Sequence, residues 1–326
     1  LAPAQALISS EKPSLVMVAL HTLPKGLPPM PKINANSLSI EFETFGEPNA
    51  KPLLLVMGLG AQMIAWDENF CQQLADAGHF VIRYDNRDVG LTTYFHDHGV
   101  PDFKELAVEF LTNGTVKTPY TLDDMAMDGI SLLDELGIEQ AHICGASLGG
   151  MIVQAMAINH ADRILSMTSI MSTTGNPSLP PSHPEAIAAL TSKRVDDPKH
   201  AMNRAVEVSR VIGSTGFERD EERIRNKALE SYNRAYNPDG VARQMAAIMA
   251  HGDRRPGLNQ LKLPCLVIHG NVDPLVPISG AHDTHQNVPG AELMIIEGMG
   301  HDMPIGAWSQ IVKGIALVTH QTHTAA

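Results

Sequence analysis

Short apolar runs closed by glycine are the feature that most restricts how this chain can fold. The clearest is KPLLLVMG at residues 51–58, and similar runs stand at residues 263–270 and 291–298. A strand whose side chains are nearly all apolar must be covered on both faces, which is typical of parallel sheets. Because helical patterns separate these runs, we predict an α/β fold with a mostly parallel central sheet flanked by helices.

The alternation of strands and helices stops over residues 172–256. This stretch begins in a Pro-rich segment and continues through helical patterns without a clear strand. We interpret it as an inserted helical lid on an α/β core made of residues 32–171 and 257–326. Residues 1–31 are predicted to form a Pro-rich arm.

Composition limits the classes of partner. The chain has 326 residues, a formal net charge of −12 and 44% hydrophobic residues. An acidic chain without a basic stripe does not attract nucleic acid or an anionic membrane surface. No apolar run approaches the ~18 residues of a membrane span. We therefore expect a small-molecule partner, no nucleic acid and no membrane span.

Cysteine usage favours a reducing compartment. Cys71, Cys144 and Cys265 are far apart and odd in number, so we expect buried free thiols. The sequence opens with Leu1 rather than methionine, so we expect that something has been removed or left out, and its first residues lack the pattern of a secretory signal. We predict a cytoplasmic protein, with export as the alternative. The N-terminal arm could pack on a neighbouring copy in a homo-oligomer.

The segment GASLG at residues 145–149 raises the question of a nucleophile. A Gly-x-Ser-x-Gly match is common by chance, and a Gly-rich turn with a small polar residue is the simpler interpretation. Gly145 and Gly149 nevertheless leave room for a tight turn that holds Ser147 in strained backbone geometry. The match becomes informative only if partners for Ser147 are found elsewhere.

Two further strand ends supply such partners. Asp273 follows one apolar run and His301 follows the next, as Ser147 follows its own. In an open α/β sheet, the carboxyl ends of the strands form the edge where ligands bind. Taken singly, Asp273 could be a turn residue and His301 a loop histidine. Together, in the order Ser, Asp, His, the three residues predict a catalytic triad.

These residue types suit acyl transfer. A serine hydroxyl is a poor nucleophile until a base takes its proton, and an imidazole can do so near neutral pH. A carboxylate on the other ring nitrogen fixes the tautomer and stabilises the imidazolium. We expect Asp273 to hold His301 in this way. Asp302 and Glu297 are closer in sequence, but a neighbour on the same short loop cannot easily turn back to the ring.

With these residues in place, the chain from about Ile33 to its closing helix resembles the α/β-hydrolase superfamily. It looks most like small-molecule carboxylesterases related to polyketide methylesterases. The resemblance implies an oxyanion hole at the backbone N–H groups of Leu59 and Leu148, where preorganised donors stabilise charge on a carbonyl oxygen. The oxyanion-loop, post-strand, nucleophile, acid and histidine motifs of the family are matched by VMGLG, RYDNRDVG, GASLGG, GNVDPLVP and GMGHDMP.

Two positions depart from the family pattern. Met57 stands where many members have a histidine before the oxyanion glycine, so that loop must be held in another way. Asp88 replaces a frequent glycine in the DNRDVG turn. This second change puts the shape of the turn in question, but not the chemistry.

A dinucleotide-binding interpretation competes for the same loop. GLGAQM at residues 58–63 follows a strand, and Asp85 ends the next one, which imitates the fingerprint with its ribose-binding acid. Met63 occupies the third position, where glycine or alanine is needed for close packing, and the triad stays unexplained. We therefore predict no cofactor. The histidines do not show the spacing of metal ligands, so we also predict no metal.

Several methionines lie close in sequence to the site elements. Methionine adapts to irregular apolar shapes, so a flexible pocket for varied acyl or alcohol groups is one interpretation, and ordinary core packing is the other. No arginine or lysine adjoins the triad motifs, which disfavours a carboxylate substrate. We assign four residues to the substrate pocket: Gly58, Met245, Met249 and Met303.

The function that follows is that of a serine hydrolase, a carboxylesterase that cleaves a small-molecule ester through an acyl-enzyme intermediate. A carbon–carbon bond hydrolase or a lactonase that uses the same triad is the alternative. A ligand receptor on a hydrolase fold that no longer turns over is the alternative outside enzymes, and the intact triad speaks against it.

Overall fold

The strands of the structure arise from the apolar runs. The computed structural model describes residues 32–321, and the predicted N-terminal arm lies outside the described residues. The strands of this described range are β1 (Lys32–Ala35), β2 (Leu38–Phe45), β3 (Lys51–Val56), β4 (His79–Tyr84), β5 (Ala141–Ala146), β6 (Ile164–Ile170), β7 (Cys265–Gly270) and β8 (Glu292–Ile296).

These strands form one sheet with the order β1-β2-β4-β3-β5-β6-β7-β8. The pairs β1–β2 and β2–β4 are antiparallel, whereas all pairs from β4 to β8 along the sheet are parallel. The prediction of a mostly parallel sheet is therefore confirmed. Strands β3, β5, β7 and β8 consequently end at the same edge, which is where the predicted site residues follow them.

Helices cover both faces of the sheet. They are α1 (Glu68–Asp76), α2 (Phe103–Asn113), α3 (Leu122–Glu135), α4 (Leu148–Asn159), α5 (Pro184–Leu190), α6 (Pro198–Ile212), α7 (Glu221–Arg234), α8 (Pro238–His251), α9 (Arg255–Leu258), α10 (Ser279–Asn287) and α11 (Ile305–Gln321). Helices α3 and α4 contribute to the core on one face, and α1 and α11 contribute to the core on the other.

Strand β3 shows why its sequence is continuously apolar. Leu54 and Val56 belong to one core, and Leu53 and Leu55 belong to the other. All four side chains are buried. Since alternate residues of a strand point to opposite faces, a strand covered on both sides has no position left for a polar side chain.

Capping residues determine where helices α1 and α3 begin. Helix α3 begins with a capping box, in which Thr121 and Asp124 bond reciprocally to each other's backbone. Helix α1 begins at Glu68, because Asp67 is the N-cap and accepts a hydrogen bond from the Asn69 N–H at 2.9 Å. Trp66 therefore precedes the helix and stacks on Phe70.

The chain between β6 and β7 is helical. Helices α5 to α9 lie in this insertion, which is described throughout and contains no strand. Proline stands in the first turn of α5, α6 and α8, where its missing N–H removes no intrahelical hydrogen bond. The predicted lid, residues 172–256, falls within this insertion, and its role remains a prediction at this point.

Cys71, Cys144 and Cys265 are free and buried, as their surroundings in the sequence indicate. Burial raises the pKa of the Cys71 thiol to about 12, so it stays protonated near neutral pH. Within residues 32–321, we find no helix whose length and apolar character would let it cross a membrane.

Candidate active site

Ser147 occupies the sharp turn between β5 and α4. It is the single residue between these two elements, and its φ of 55° and ψ of −117° are rare for a residue with a side chain. Two glycines permit this geometry. A Cβ at Gly145 would lie 2.1 Å from the Gly149 carbonyl oxygen, and a Cβ at Gly149 would lie 2.0 Å from that of Val56. The turn therefore requires the glycines that flank the serine.

His301 lies between Ser147 and Asp273. Its Nε2 is 2.9 Å from Ser147 Oγ, and its Nδ1 is 2.7 Å from Asp273 Oδ2. The other carboxylate oxygen of Asp273 accepts hydrogen bonds from the backbone N–H groups of Leu275 and Val276, each at 2.9 Å. Asp273 is thus fixed on its own loop with one oxygen turned to the ring. The Nε2–Oγ contact is short enough for direct proton transfer, and the Nδ1–Oδ2 contact is a hydrogen bond that orients the ring.

Asp302 has a different partner. Its carboxylate accepts hydrogen bonds from the backbone N–H and the hydroxyl of Ser214, which belongs to the insertion. Burial raises the pKa of Asp302, although the bonds from Ser214 act against this shift. Asp302 therefore ties the histidine loop to the insertion, while Asp273 contacts the ring of His301.

The chain after helix α6 runs against the loop that carries His301. The His301 N–H donates to the Ile212 carbonyl at 2.7 Å, and the Gly300 N–H donates to Ser214 Oγ at 3.0 Å. These bonds hold the backbone at the histidine and at the residue before it. The insertion thus contacts the candidate site directly.

The predicted oxyanion donors lie beside Ser147. Leu148 is the first residue of α4, so its N–H has no acceptor within the helix, and the positive end of the helix dipole favours an anion there. Leu59 lies on the loop after β3. Within residues 32–321, neither N–H donates to a protein acceptor, whereas the Ser147 N–H donates to the Ile170 carbonyl at 2.9 Å.

Side chains from two other segments hold the oxyanion loop in place of the histidine that Met57 replaces. Asn86 Nδ2 donates to the Met57 carbonyl at 2.8 Å. Gln244 Oε1 accepts from the Gly60 N–H at 2.9 Å, and its Nε2 donates to the Arg87 carbonyl at 2.9 Å. Sequence analysis missed Gln244. A polar amide amid the apolar residues of α8 was the available signal.

Asp88, the other departure from the family pattern, anchors helix α8. Its carboxylate accepts two hydrogen bonds of 2.8 Å from Arg243, and both side chains are fully buried. Tyr120 and the Phe95 N–H donate to the same carboxylate, each at 2.8 Å. Burial alone would raise the pKa of Asp88, but these bonds outweigh it and lower that pKa. The aspartate thus joins the turn to the insertion.

A cavity of about 470 Å³ opens at this edge of the sheet. Ser147, His301, Leu59 and Leu148 stand in its wall. Its remaining lining is mostly apolar, so it would accommodate uncharged groups on either side of a scissile bond. The other residues of the lining include Met57, Gly58, Phe70, Met151, Met171, Ile187, Leu190, Ile212, Met245, Ile248, Leu275, Met303 and Trp308.

Met249 is not among the residues that line this cavity. It packs instead with the small cluster of Leu106, Val116 and Ala246. Met245 and Ile248 line the cavity, whereas Ala246 and Met249 pack with Leu106 of helix α2, so Met249 lies on the neighbouring face of α8. The structure therefore corrects the pocket assignment of Met249, while Gly58, Met245 and Met303 do line the cavity.

One end of the cavity carries a charged pair that sequence reasoning missed. Arg223 lines the wall and donates to Asp67 Oδ2 at 2.7 Å, with its guanidinium 5.4 Å from the centre of the Trp308 ring. Because Asp67 also lines the cavity and balances this charge, the pair does not present a free cation to a substrate.

The dinucleotide alternative lacks its structural elements. The loop after β3 leads into a short 3-10 turn at Met63–Ala65, so no α-helix begins at its glycines. Asp85 is buried, and its carboxylate accepts hydrogen bonds from the Met63 and Leu91 N–H groups while it pairs with Arg234. It is therefore a structural group with no face left for a ribose.

Residues 51–306 match the family described as alpha/beta hydrolase fold. Since this match covers most of the chain, the protein belongs to the α/β-hydrolase family. The family resemblance and the fold class predicted from the sequence are thereby confirmed.

Individual relatives refine this assignment. Rhodomycin D methylesterase DauP of Streptomyces sp. (strain C5) is 26% identical over 310 residues, which cover 89% of this chain and 98% of the relative. The 3-oxoadipate enol-lactonase 2 of Acinetobacter baylyi is 25% identical over 280 residues, 81% of this chain and 87% of the relative. The crystal structure of the enol-lactonase from Burkholderia xenovorans LB400 has the same fold, with a TM-score of 0.68 at 22% identity, covering 89% of this chain and 100% of that structure.

The two neighbouring aspartates give a test of the site geometry. Asp273→Asn would replace the acceptor that fixes the tautomer of His301, so we expect kcat for ester hydrolysis to fall roughly 10³–10⁴-fold. Asp302→Asn is the matched control, because it makes the same change one residue from His301 at a group that contacts Ser214. We expect a far smaller fall there. Steady-state kinetics on p-nitrophenyl acetate would measure both, and equal losses in two folded variants would contradict the assignment.

Proposed function

We propose that this protein is a serine carboxylesterase that cleaves a small-molecule ester through an acyl-enzyme intermediate. The observation that carries the proposal is the continuous line of contacts from Ser147 Oγ through His301 to the Asp273 carboxylate, at the wall of an apolar cavity. Membership of the α/β-hydrolase family and similarity to a methylesterase support it.

Acylation would begin when Ser147 Oγ attacks the carbonyl carbon of the ester. His301 Nε2 takes the hydroxyl proton, and Asp273 stabilises the resulting imidazolium through Nδ1–H. The negative charge moves to the carbonyl oxygen, where the N–H groups of Leu59 and Leu148 donate to it. The tetrahedral intermediate then collapses, the bond to the alkoxy oxygen breaks, and His301 gives its proton to the leaving alcohol.

Deacylation repeats the same steps with water. His301 Nε2 takes a proton from the attacking water, whose oxygen bonds to the acyl carbon of the ester on Ser147. Collapse of the second tetrahedral intermediate breaks the bond to Ser147 Oγ, which recovers its proton from His301. A carboxylic acid leaves, and the site returns to its starting state.

Lactone hydrolysis is the second candidate reaction. It requires the same attack and the same oxyanion donors, and it differs only in that the leaving alcohol stays attached to the acyl group. The 25% identity to an enol-lactonase over most of the chain favours this candidate. Carbon–carbon bond hydrolysis uses a similar triad and is the third reaction for which the protein should be assayed.

Free and buried cysteines support a cytoplasmic location, which is part of the same proposal. The homo-oligomer remains a prediction from the sequence.

The test of the function is a substrate panel with two serine variants. We expect the protein to hydrolyse p-nitrophenyl esters, and Ser147→Ala to cut kcat by at least ~10³-fold because the nucleophile is lost. Ser178→Ala is the matched control, since it removes an exposed hydroxyl that neither lines the cavity nor belongs to the triad. Near-normal activity of a folded Ser147→Ala protein would overturn the mechanism.

The same panel separates the candidate reactions. A series of p-nitrophenyl esters is run beside a lactone and a dienone substrate, and kcat/KM is compared. Highest kcat/KM on the open-chain esters supports the carboxylesterase. Highest kcat/KM on the lactone or the dienone would assign the protein to the corresponding alternative, and no turnover of any substrate would favour a receptor.

We also propose that residues 172–256 act as a lid that selects the substrate without taking part in the chemistry. Four helices of the insertion contribute to the cavity wall, through Ile187 of α5, Ile212 of α6, Arg223 of α7 and Met245 of α8. The nucleophile, acid and histidine all lie outside it. The lid would therefore set the size and polarity of the space around the scissile bond.

Two methionines one helical turn apart test the role of the lid. Met245→Ala removes a side chain from the cavity wall, so we expect it to change the preferred ester chain length. The difference in activation free energy between acetate and octanoate should change by about 1–3 kcal/mol. Met249→Ala is the matched control, because this methionine packs away from the cavity. We expect it to leave the profile parallel to that of the parent. Profiles of kcat/KM that are parallel for both variants would show that Met245 does not contact the acyl chain.

A further inference from the structure

A second cavity lies behind the oxyanion loop, between the α5–α6 connection and helices α6, α7 and α8. Its volume is about 170 Å³. Within the part of the chain that the structure describes, no residue lines both this cavity and the one at Ser147. Gly60 faces the second cavity, whereas its neighbours Leu59 and Ala61 face the first. The two cavities are therefore separate sites divided by this loop.

Arg194 lines this cavity, and no carboxylate among residues 32–321 balances its charge. Its side chain is partly buried, and across residues 32–321 we find no carboxylate paired with it and no acceptor hydrogen-bonded to it. Burial, together with the positive charge of Arg204, lowers the pKa of Arg194 to about 10, so it stays charged near neutral pH. A partly desolvated cation without a counter-charge is unfavourable unless something else pairs with it.

Two further groups border the cavity beside Arg194. Arg204 is a second cation. Its guanidinium donates to the Leu190 carbonyl at 2.8 Å and to Ser192 Oγ at 2.9 Å, and these bonds hold it in place. The hydroxyl of Tyr236 is buried, and it has no hydrogen-bond partner among the described residues. Tyr236 is close enough to interact electrostatically with both arginines. A free donor and two cations thus meet at one cavity.

The acidic groups nearby do not line the cavity. Asp196 accepts a hydrogen bond from the Tyr232 hydroxyl at 2.6 Å, and Asp197 caps α6 by accepting from the His200 N–H at 2.6 Å. Asp239 lies in the first turn of α8. Among the ion pairs of residues 32–321, none joins these aspartates to either arginine of the cavity. No aspartate or glutamate is among the residues that line the cavity, whereas Arg194 and Arg204 are, so the lining carries a net positive charge.

We propose that this second cavity binds a compact oxyanion, the carboxylate or phosphate group of a small molecule, with Arg194 and the Tyr236 hydroxyl as its donors. A guanidinium presents a planar fork of N–H groups that matches the oxygens of either group. The partly enclosed position strengthens each charged hydrogen bond relative to bulk water. A volume of about 170 Å³ holds one such group. The proposal does not depend on the reaction at Ser147.

The experiment measures anion binding to the full chain. Inorganic phosphate and acetate are titrated in separate series at constant ionic strength, with sodium chloride as the reference salt. Calorimetry gives Kd, and thermal unfolding gives the change in Tm. We expect at least one anion to bind saturably and raise Tm beyond the chloride reference. The anion with the lower Kd identifies which oxyanion the cavity prefers.

Three variants separate a binding site from a structural role. Arg194→Gln should weaken Kd at least about tenfold, because it removes the charged fork. Lys199→Gln is the matched control, since it removes an exposed positive charge from the nearby helix α6 outside the cavity lining. Tyr236→Phe keeps the ring and removes only the unpartnered hydroxyl, so it should also weaken Kd and provides a second test if Arg194→Gln does not fold.

The Tm of the parent and of Arg194→Gln without added anion gives a further test. Since Arg194 has no partner in the protein, Arg194→Gln should unfold at a Tm no lower than that of the parent when no anion is added. A lower Tm under that condition would indicate a structural role instead. The proposal is overturned if neither anion binds the parent saturably, or if Arg194→Gln and Tyr236→Phe bind as tightly as Lys199→Gln.

Discussion

Close packing at the turn between β5 and α4 is the constraint on which the candidate site depends. The backbone of α4 approaches that of β3 so closely at Gly149 that a single Cβ would overlap the Val56 carbonyl. This approach forces the chain to reverse within one residue, so Ser147 takes backbone angles that no regular element provides. The parallel sheet then brings the loops that carry Asp273 and His301 to the same edge. The close packing of the glycine backbone thus positions the Ser147 hydroxyl. The common direction of the parallel strands positions Asp273 and His301 beside it.

The helical insertion is bonded to each loop of the site that surrounds Ser147. Gln244 holds the oxyanion loop, Arg243 holds the turn at Asp88, and Ser214 holds the histidine loop. The contacts are specific hydrogen bonds to backbone groups or buried carboxylates, which cost free energy when left unpaired. An insertion attached in this way orients the loops of the site as well as covering the cavity.

Much of the fold was predictable because its signals are local. The strands follow from apolar runs and turn residues, and Ser147, Asp273 and His301 could be singled out because each follows such a run. The partners of Gln244 and Ser214 could not be predicted, since they lie more than 80 residues away and are in part backbone groups that any residue supplies. Met249 shows a related limit. Helical period predicts which side of α8 is apolar, but not which part of that side lines the cavity and which part packs on helix α2.

A covalent intermediate on Ser147 is tested most directly by mass spectrometry after reaction of the protein with a p-nitrophenyl phosphonate ester. The phosphonate resembles the tetrahedral intermediate and stays on the nucleophile, because water displaces it slowly. We predict one adduct per chain, on the peptide that contains Ser147, with one equivalent of p-nitrophenol released. An adduct on another residue, or none from a preparation that hydrolyses p-nitrophenyl esters, would contradict the account.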